Sequence, residues 1–210
     1  MELQLALDLV DIAGAKEIIS EVADYIDIVE IGTPVVINEG LRAVKEVKQA
    51  FPSLRVLADL KIMDAGGYEV MKASEAGADI ITVLGVSDDS TIRGAVEEAK
   101  KQNTKVMVDM INVKNIEERA AEIDQMGVDY ICVHSGYDHQ AAGISSFEDL
   151  LKIKRVVTRA KTAIAGGIKL ATLPQVIEAG PDLVIVGGGI TSADNKRAVA
   201  AEMKQLVSRA

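Results

Sequence analysis

Eight short apolar runs alternate with eight helical patterns along the whole chain, and few folds accept that order. The runs are Leu3–Leu9, Asp27–Ile31, Arg55–Leu60, Asp79–Leu84, Lys105–Met110, Asp129–His134, Thr162–Ala165 and Leu183–Val186. Each is short and mostly apolar, as strands are when both faces of a parallel sheet are covered. The helical patterns are Gly14–Asp24, Asn38–Ala50, Gly67–Ala76, Ser90–Gln102, Ile116–Met126, Phe147–Ala160, Ala171–Ala179 and Ala193–Ser208. Eight such units in 210 residues leave short connections, the longest of them after His134.

A weak internal repeat supports the count. Glu75-Ala76-Gly77-Ala78-Asp79, Gln125-Met126-Gly127-Val128-Asp129 and Glu178-Ala179-Gly180-Pro181-Asp182 each close a helix and open a strand. Glycine there can take the left-handed cap position. The marks recur every two βα units, as in a barrel of repeated units. An open doubly wound sheet uses the same units, but usually has fewer strands and a glycine-rich turn after the first. Here the first strand runs into Asp8-Leu9-Val10-Asp11. The expected fold is α/β, a single (β/α)8 TIM barrel over residues 1–210.

Within it, Val56-Leu57-Ala58-Asp59-Leu60-Lys61-Ile62-Met63-Asp64-Ala65-Gly66-Gly67 is the most informative stretch. Alternation along a strand points Asp59 and Lys61 to one side and Leu60 and Ile62 to the other. Gly66-Gly67 is expected to let the chain turn into the next helix. An isolated Asp-x-Lys is commonly only a salt bridge. A third charge, Asp64, at the carboxyl end of the same buried strand favours a site.

In a barrel the carboxyl ends of the strands share one cavity. Those ends supply Asp8, Glu30, Asp59 with Lys61, Asp109 and His134, then Gly166-Gly167 and Gly187-Gly188-Gly189. Any one carboxylate can be a satisfied structural acid, but so many at equivalent positions point to a site. Glu30 and Asp59, on neighbouring strands, can offer oxygens to a hard divalent cation such as Mg²⁺. Lys61, flanked by carboxylates, is expected to stay protonated. Bare backbone amides at Gly166, Gly167, Gly187 and Gly188 suit a phosphate, the other reading being tight turns alone.

A net charge of −9 without a basic block argues against nucleic acid or an anionic membrane surface as partner. No apolar run is long enough to span a membrane, and no signal peptide is evident. The single cysteine, Cys132, suits a reducing compartment, so the expected location is cytoplasmic. Cys132 and His139 are assigned no chemistry.

With these residues placed, the whole chain resembles the 3-hexulose-6-phosphate synthase family of the orotidine 5′-monophosphate decarboxylase suprafamily. The suprafamily's Asp-x-Lys-x-x-Asp pattern matches Asp59, Lys61 and Asp64, and its first-strand Asp matches Asp8 in Ala-Leu-Asp. The second-strand acid of its metal-dependent members matches Glu30 in Val-Glu-Ile-Gly-Thr-Pro, and their sixth-strand His matches His134. The related 3-keto-L-gulonate 6-phosphate decarboxylases share the barrel, the metal acids and the lysine. They carry one Arg in the loop after that His and another after the eighth-strand Gly. This chain has Ser135-Gly136-Tyr137-Asp138 at the first place and Gly188 at the second.

The resemblance implies an aldehyde-lyase of the ribulose monophosphate pathway that joins formaldehyde to D-ribulose 5-phosphate, reversibly, through a 1,2-enediolate. It implies Mg²⁺ or Mn²⁺ on Glu30 and Asp59, Lys61 as a fixed positive charge, and His134 as the base at C1. Asp8, Asp64 and Asp109 would orient Lys61 and the sugar hydroxyls, with Asp64 reaching into the neighbouring subunit's site of a homodimer. The alternatives are the decarboxylase and a metal-free phosphosugar-binding barrel without catalysis.

Overall fold

The computed structural model describes residues 1–143 and 145–209. Eight parallel strands pair in chain order and close into a barrel. They are β1 Glu2–Leu7, β2 Ile28–Ile31, β3 Arg55–Ile62, β4 Ile80–Leu84, β5 Lys105–Asp109, β6 Tyr130–His134, β7 Lys161–Ala165 and β8 Leu183–Val186. The helices outside are α1 Ile12–Val22, α2 Thr33–Glu39, α3 Arg42–Ala50, α4 Gly66–Glu75, α5 Asp89–Gln102, α6 Ile116–Gln125, α7 Tyr137–Ala141, α8 Phe147–Ile153, α9 Leu173–Ala179, α10 Gly188–Thr191 and α11 Lys196–Ser208. This is the expected (β/α)8 barrel. Among the described residues no helix is long and apolar enough to cross a membrane.

Two apolar clusters follow from the alternation of side chains along each strand. Outward residues such as Leu3, Leu5, Val29, Val56 and Ile81 pack against the helices. Inward residues Ala6, Ile28, Leu57, Ile80, Met107, Tyr130, Cys132, Ala163, Leu183 and Ile185 fill the barrel. At about 1.5–3 kcal/mol for each large aliphatic side chain buried, these two clusters carry the hydrophobic stabilisation. The inner one also makes a solid floor within the barrel.

The weak sequence repeat has a physical meaning. Asp27, Asp79, Asp129 and Asp182 stand at the entry to β2, β4, β6 and β8. Each exchanges two bonds with one residue of the strand before: Leu3, Val56, Val106 and Thr162 in turn. The strand residue's N–H donates to the carboxylate, at 2.7–3.0 Å. The aspartate's own N–H donates back to that residue's carbonyl, at 2.8–3.0 Å. Gly77, Gly127 and Gly180 just before three of these aspartates have φ of +97°, +84° and +68°, the left-handed caps that the sequence calls for.

Several helices differ from expectation. The pattern over Asn38–Ala50 is two helices, α2 and α3, parted at Gly40, where φ is +64°. The pattern over Phe147–Ala160 stops at Ile153 because the buried Asp124 carboxylate takes the N–H groups of Thr158, Arg159 and Ala160. The C-terminal pattern begins at Lys196, not Ala193, with the Asn195 side chain capping it. In the turn after β3 the left-handed residue is Ala65, at φ +54°, rather than either of the two glycines. Gly66 is needed for a close approach instead: a Cβ there would lie 2.1 Å from the Thr91 carbonyl of α5.

Candidate active site

A cavity of about 700 Å³ opens at the carboxyl ends of the strands. Asp8, Glu30, Asp59, Lys61, Asp109, His134, Gly166, Gly167, Gly187 and Gly188 all line it. Of the expected site residues only Asp64 lies outside. It is exposed beyond β3, where its Oδ1 accepts the N–H of Ala65.

Lys61 is the centre of the polar network. The β3–β4 register shifts between Ala58 and Ile62, and the left-handed Lys61 backbone sits in that shift with its N–H on Thr82 Oγ1. From there Nζ donates to Asp59 Oδ2 at 2.7 Å and to Asp109 Oδ2 at 3.1 Å. Burial alone would lower the lysine pKa, but these two carboxylates outweigh it and raise it above the ordinary value. The ammonium is therefore a fixed charge at neutral pH.

Asp59, expected to serve the metal, is thus also the nearest carboxylate to Lys61. It is fixed further by the hydroxyls of Thr33 and Thr82, at 2.8 and 2.7 Å. Asp109 Oδ1 accepts the N–H of Ile111 and its Oδ2 meets His134 Nδ1 at 2.9 Å. Burial opposes its ionisation, but His134 and Lys61 prevail and hold its pKa below the ordinary value. Asp8 does not contact Lys61 directly: its Oδ2 accepts from the Tyr137 hydroxyl at 3.0 Å. Burial and the Asp8 charge push the Tyr137 phenol up to about 12, so it stays neutral.

Glu30 is the least compensated group. Burial first, then the negative charges of Asp59 and Asp8, raise its pKa well above the ordinary value. Its one side-chain donor among the described residues is the Gln4 amide, 2.5 Å from Oε2. A further cation beside Glu30 and Asp59 would relieve that repulsion, and the all-oxygen donors suit a hard ion. No group of three or more His, Cys, Asp or Glu side chains converges on a ready-made cage among the described residues. Two carboxylates are what the chain offers, which fits an ion that keeps waters and takes substrate oxygens.

Beyond the acids, the ends of β7 and β8 form a glycine-rich rim. The N–H groups of Gly167, Gly188 and Gly189 meet no protein acceptor among the described residues. Gly166 has φ of +106°, and a Cβ on it would stand 2.3 Å from the Ser135 carbonyl, so only glycine fits this corner. Lys169, exposed on the same rim, also lines the cavity. Sequence reasoning missed Lys169, Thr33, Thr82 and Gln4. A lysine four residues past a strand end carries no pattern, and the threonines and the glutamine look like ordinary strand or cap residues.

A profile of the Orotidine 5'-phosphate decarboxylase / HUMPS family matches residues 1–203. The chain is 74% identical over 207 residues to a 3-hexulose-6-phosphate synthase of Bacillus subtilis (strain 168), covering 99% of each. It also superposes, with a TM-score of 0.97 and 41% identity, on the crystal structure of a 3-hexulose-6-phosphate synthase from Salmonella typhimurium. That match covers 100% of this chain and 99% of the other. A 3-keto-L-gulonate-6-phosphate decarboxylase from Vibrio cholerae matches less closely, at TM-score 0.86 and 25% identity over 99% of this chain and 97% of its own. The chain belongs to the Orotidine 5'-phosphate decarboxylase / HUMPS family.

Proposed function

We propose that the chain is a lyase that condenses formaldehyde with D-ribulose 5-phosphate, the 3-hexulose-6-phosphate synthase reaction, and reverses it. The observation that carries this reading is the chain of contacts Lys61–Asp109–His134 at the mouth of a closed barrel. It gives a fixed cation and an oriented imidazole within one carboxylate's reach, as an enediolate reaction requires. The greater likeness to synthases than to the decarboxylase supports the same choice.

In this reading His134 removes a proton from C1 of the pentulose phosphate, and Asp109 stabilises the imidazolium that forms. The C1–C2 electrons attack the carbonyl carbon of formaldehyde, a new C–C bond forms, and the formaldehyde oxygen takes a proton. Lys61 faces the negative charge that develops on the sugar oxygens. Glu30 and Asp59 would hold Mg²⁺ or Mn²⁺, which when bound supplies Lewis-acid stabilisation of that charge. The free amides of Gly167, Gly188 and Gly189, with Gly166 and Gly187 shaping the corner, would take the phosphate.

Asp64 has a role only if a second copy brings its cavity near. Exposed Met63 and Tyr68 flank it, which supports the reading that this face is covered in a homodimer. A cytoplasmic location is consistent with the buried, unpaired Cys132. The test is a coupled assay with formaldehyde, ribulose 5-phosphate and added Mg²⁺ or Mn²⁺. Rapid formaldehyde-dependent loss of the pentulose phosphate is expected. Tight phosphosugar binding with metal present but without turnover would overturn the reading.

A further inference from the structure

Among the described residues one buried side-chain atom has no hydrogen-bond partner: Gln4 Oε1. Gln4 is fully buried in β1, between the outward Leu3 and Leu5, and it points into the barrel beneath the cavity. On the neighbouring strands its register partners are the apolar Ile28 and Ile185, both in the inner cluster. A bare carbonyl in such a place is destabilising, and an aliphatic side chain would avoid it.

The orientation of the amide explains why the carbonyl is left bare. Nε2 donates to Glu30 Oε2, and turning the amide over would set its oxygen against that carboxylate. Asp59 has Lys61, Thr33 and Thr82 as donors, and Asp109 has Lys61 and Ile111 with His134 beside it. Among the described residues Glu30 has Gln4 alone as a side-chain donor. The unpartnered oxygen therefore follows from fixing one oxygen of Glu30 so that the other faces the cavity.

We propose that Gln4 is a positioning residue for this reaction, retained to aim the Glu30 carboxylate. The inference rests on the reading that Glu30 binds the cation used with the substrate. It carries a sign that a packing role would not: in a volume-matched variant, relief of the bare carbonyl offsets the bond lost by Glu30, so the metal-free fold should keep its stability while function falls.

Gln4→Leu and Gln4→Met, which keep the volume, would be compared with wild type. Metal-stripped protein gives the Tm, Mn²⁺ titration followed by electron paramagnetic resonance gives the affinity, and steady-state kinetics give kcat/KM. Expected are a Tm close to that of wild type and a loss of roughly 10–100-fold in Mn²⁺ affinity and in kcat/KM. Variants with Mn²⁺ affinity and kcat/KM within about twofold of wild type would overturn the proposal, as would a lowered Tm with activity restored by cooling. Wild type that takes up no Mn²⁺ would remove the metal from Glu30. Gln4 would then be decided by kcat/KM against Tm: a fall at unchanged Tm supports it, and no fall overturns it.

Discussion

Asp109 Oδ2 stands 2.9 Å from His134 Nδ1, so the imidazole at one strand end is held by the carboxylate of the neighbouring strand. The same oxygen meets Lys61 Nζ at 3.1 Å. With Nδ1 tied to a carboxylate, Nε2 is the nitrogen left for substrate, and the nearby negative charge stabilises the ring once it takes a proton.

His134→Asn should therefore slow exchange of the C1 proton of ribulose 5-phosphate into solvent by about 10²–10⁴-fold, without formaldehyde present. Nuclear magnetic resonance in deuterated water reads this directly. Exchange at the wild-type rate would move the base to another residue.

Asp109→Asn tests the same network through stability. The Asp109 carboxyl is held below its ordinary range, because Lys61 and His134 outweigh the burial that opposes it. The stability it contributes is therefore present above the unfolded pKa, about 4, and lost as pH falls through the lower folded value. The variant should lose on the order of 2 kcal/mol at neutral pH, less than a fully broken buried pair, since Asp59 still holds Lys61. The Tm gap between variant and wild type should close below about pH 4. A gap that widens on acidification would contradict the assignment.

The fold was legible because two periodicities agreed: short apolar runs for strands, and glycine-aspartate marks every second unit. The marks turn out to be the reciprocal Asp79–Val56, Asp129–Val106 and Asp182–Thr162 contacts. Asp27 makes the same contact with Leu3 but has no preceding glycine, so the fourth repeat was invisible. The acids of the site stood out because each interrupts an apolar strand. Thr82 and Gln4 did not, since their importance lies in contacts across strands that no local pattern encodes. The left-handed Lys61 was likewise hidden, because simple alternation already placed it on the correct side.

Asp79→Ala removes the acceptor for Val56 N–H and the partner of Lys48, both at 2.7 Å. It lies at the end of the barrel away from the cavity, so about 1–3 kcal/mol of stability should be lost with KM unchanged. Urea unfolding beside steady-state kinetics would separate the two effects. A shifted KM at full stability would mean that the repeat also shapes the site.

Lys169→Met addresses the rim. The lining of the cavity carries Asp8, Glu30, Asp59 and Asp109, which repel a phosphate, whereas Lys169 is a cation on the rim with the free glycine amides. The variant should raise KM for ribulose 5-phosphate by about two- to fivefold with kcat unchanged, as expected for loss of one exposed charge contact. The dependence of KM on salt should also flatten. An unaltered KM at low salt would place the phosphate away from this lysine.

Tyr137 lines the cavity beside Asp8. Its hydroxyl donates to Asp8 Oδ2 at 3.0 Å, and its pKa is pushed up to about 12, so at neutral pH the phenol carries no charge. A decarboxylase must protonate its enediolate, and an Arg in that loop helps to bring the proton; an aldolase needs the enediolate to wait for formaldehyde. Tyr137→Arg would set a permanent cation beside Asp8 and favour protonation at C1. The ratio of C1 exchange to hexulose phosphate formed, measured at fixed formaldehyde, should rise in the variant, while Tyr137→Phe should leave it near the wild-type value. A ratio unmoved by Tyr137→Arg in a folded, phosphosugar-binding protein would mean that proton delivery is controlled elsewhere in the cavity.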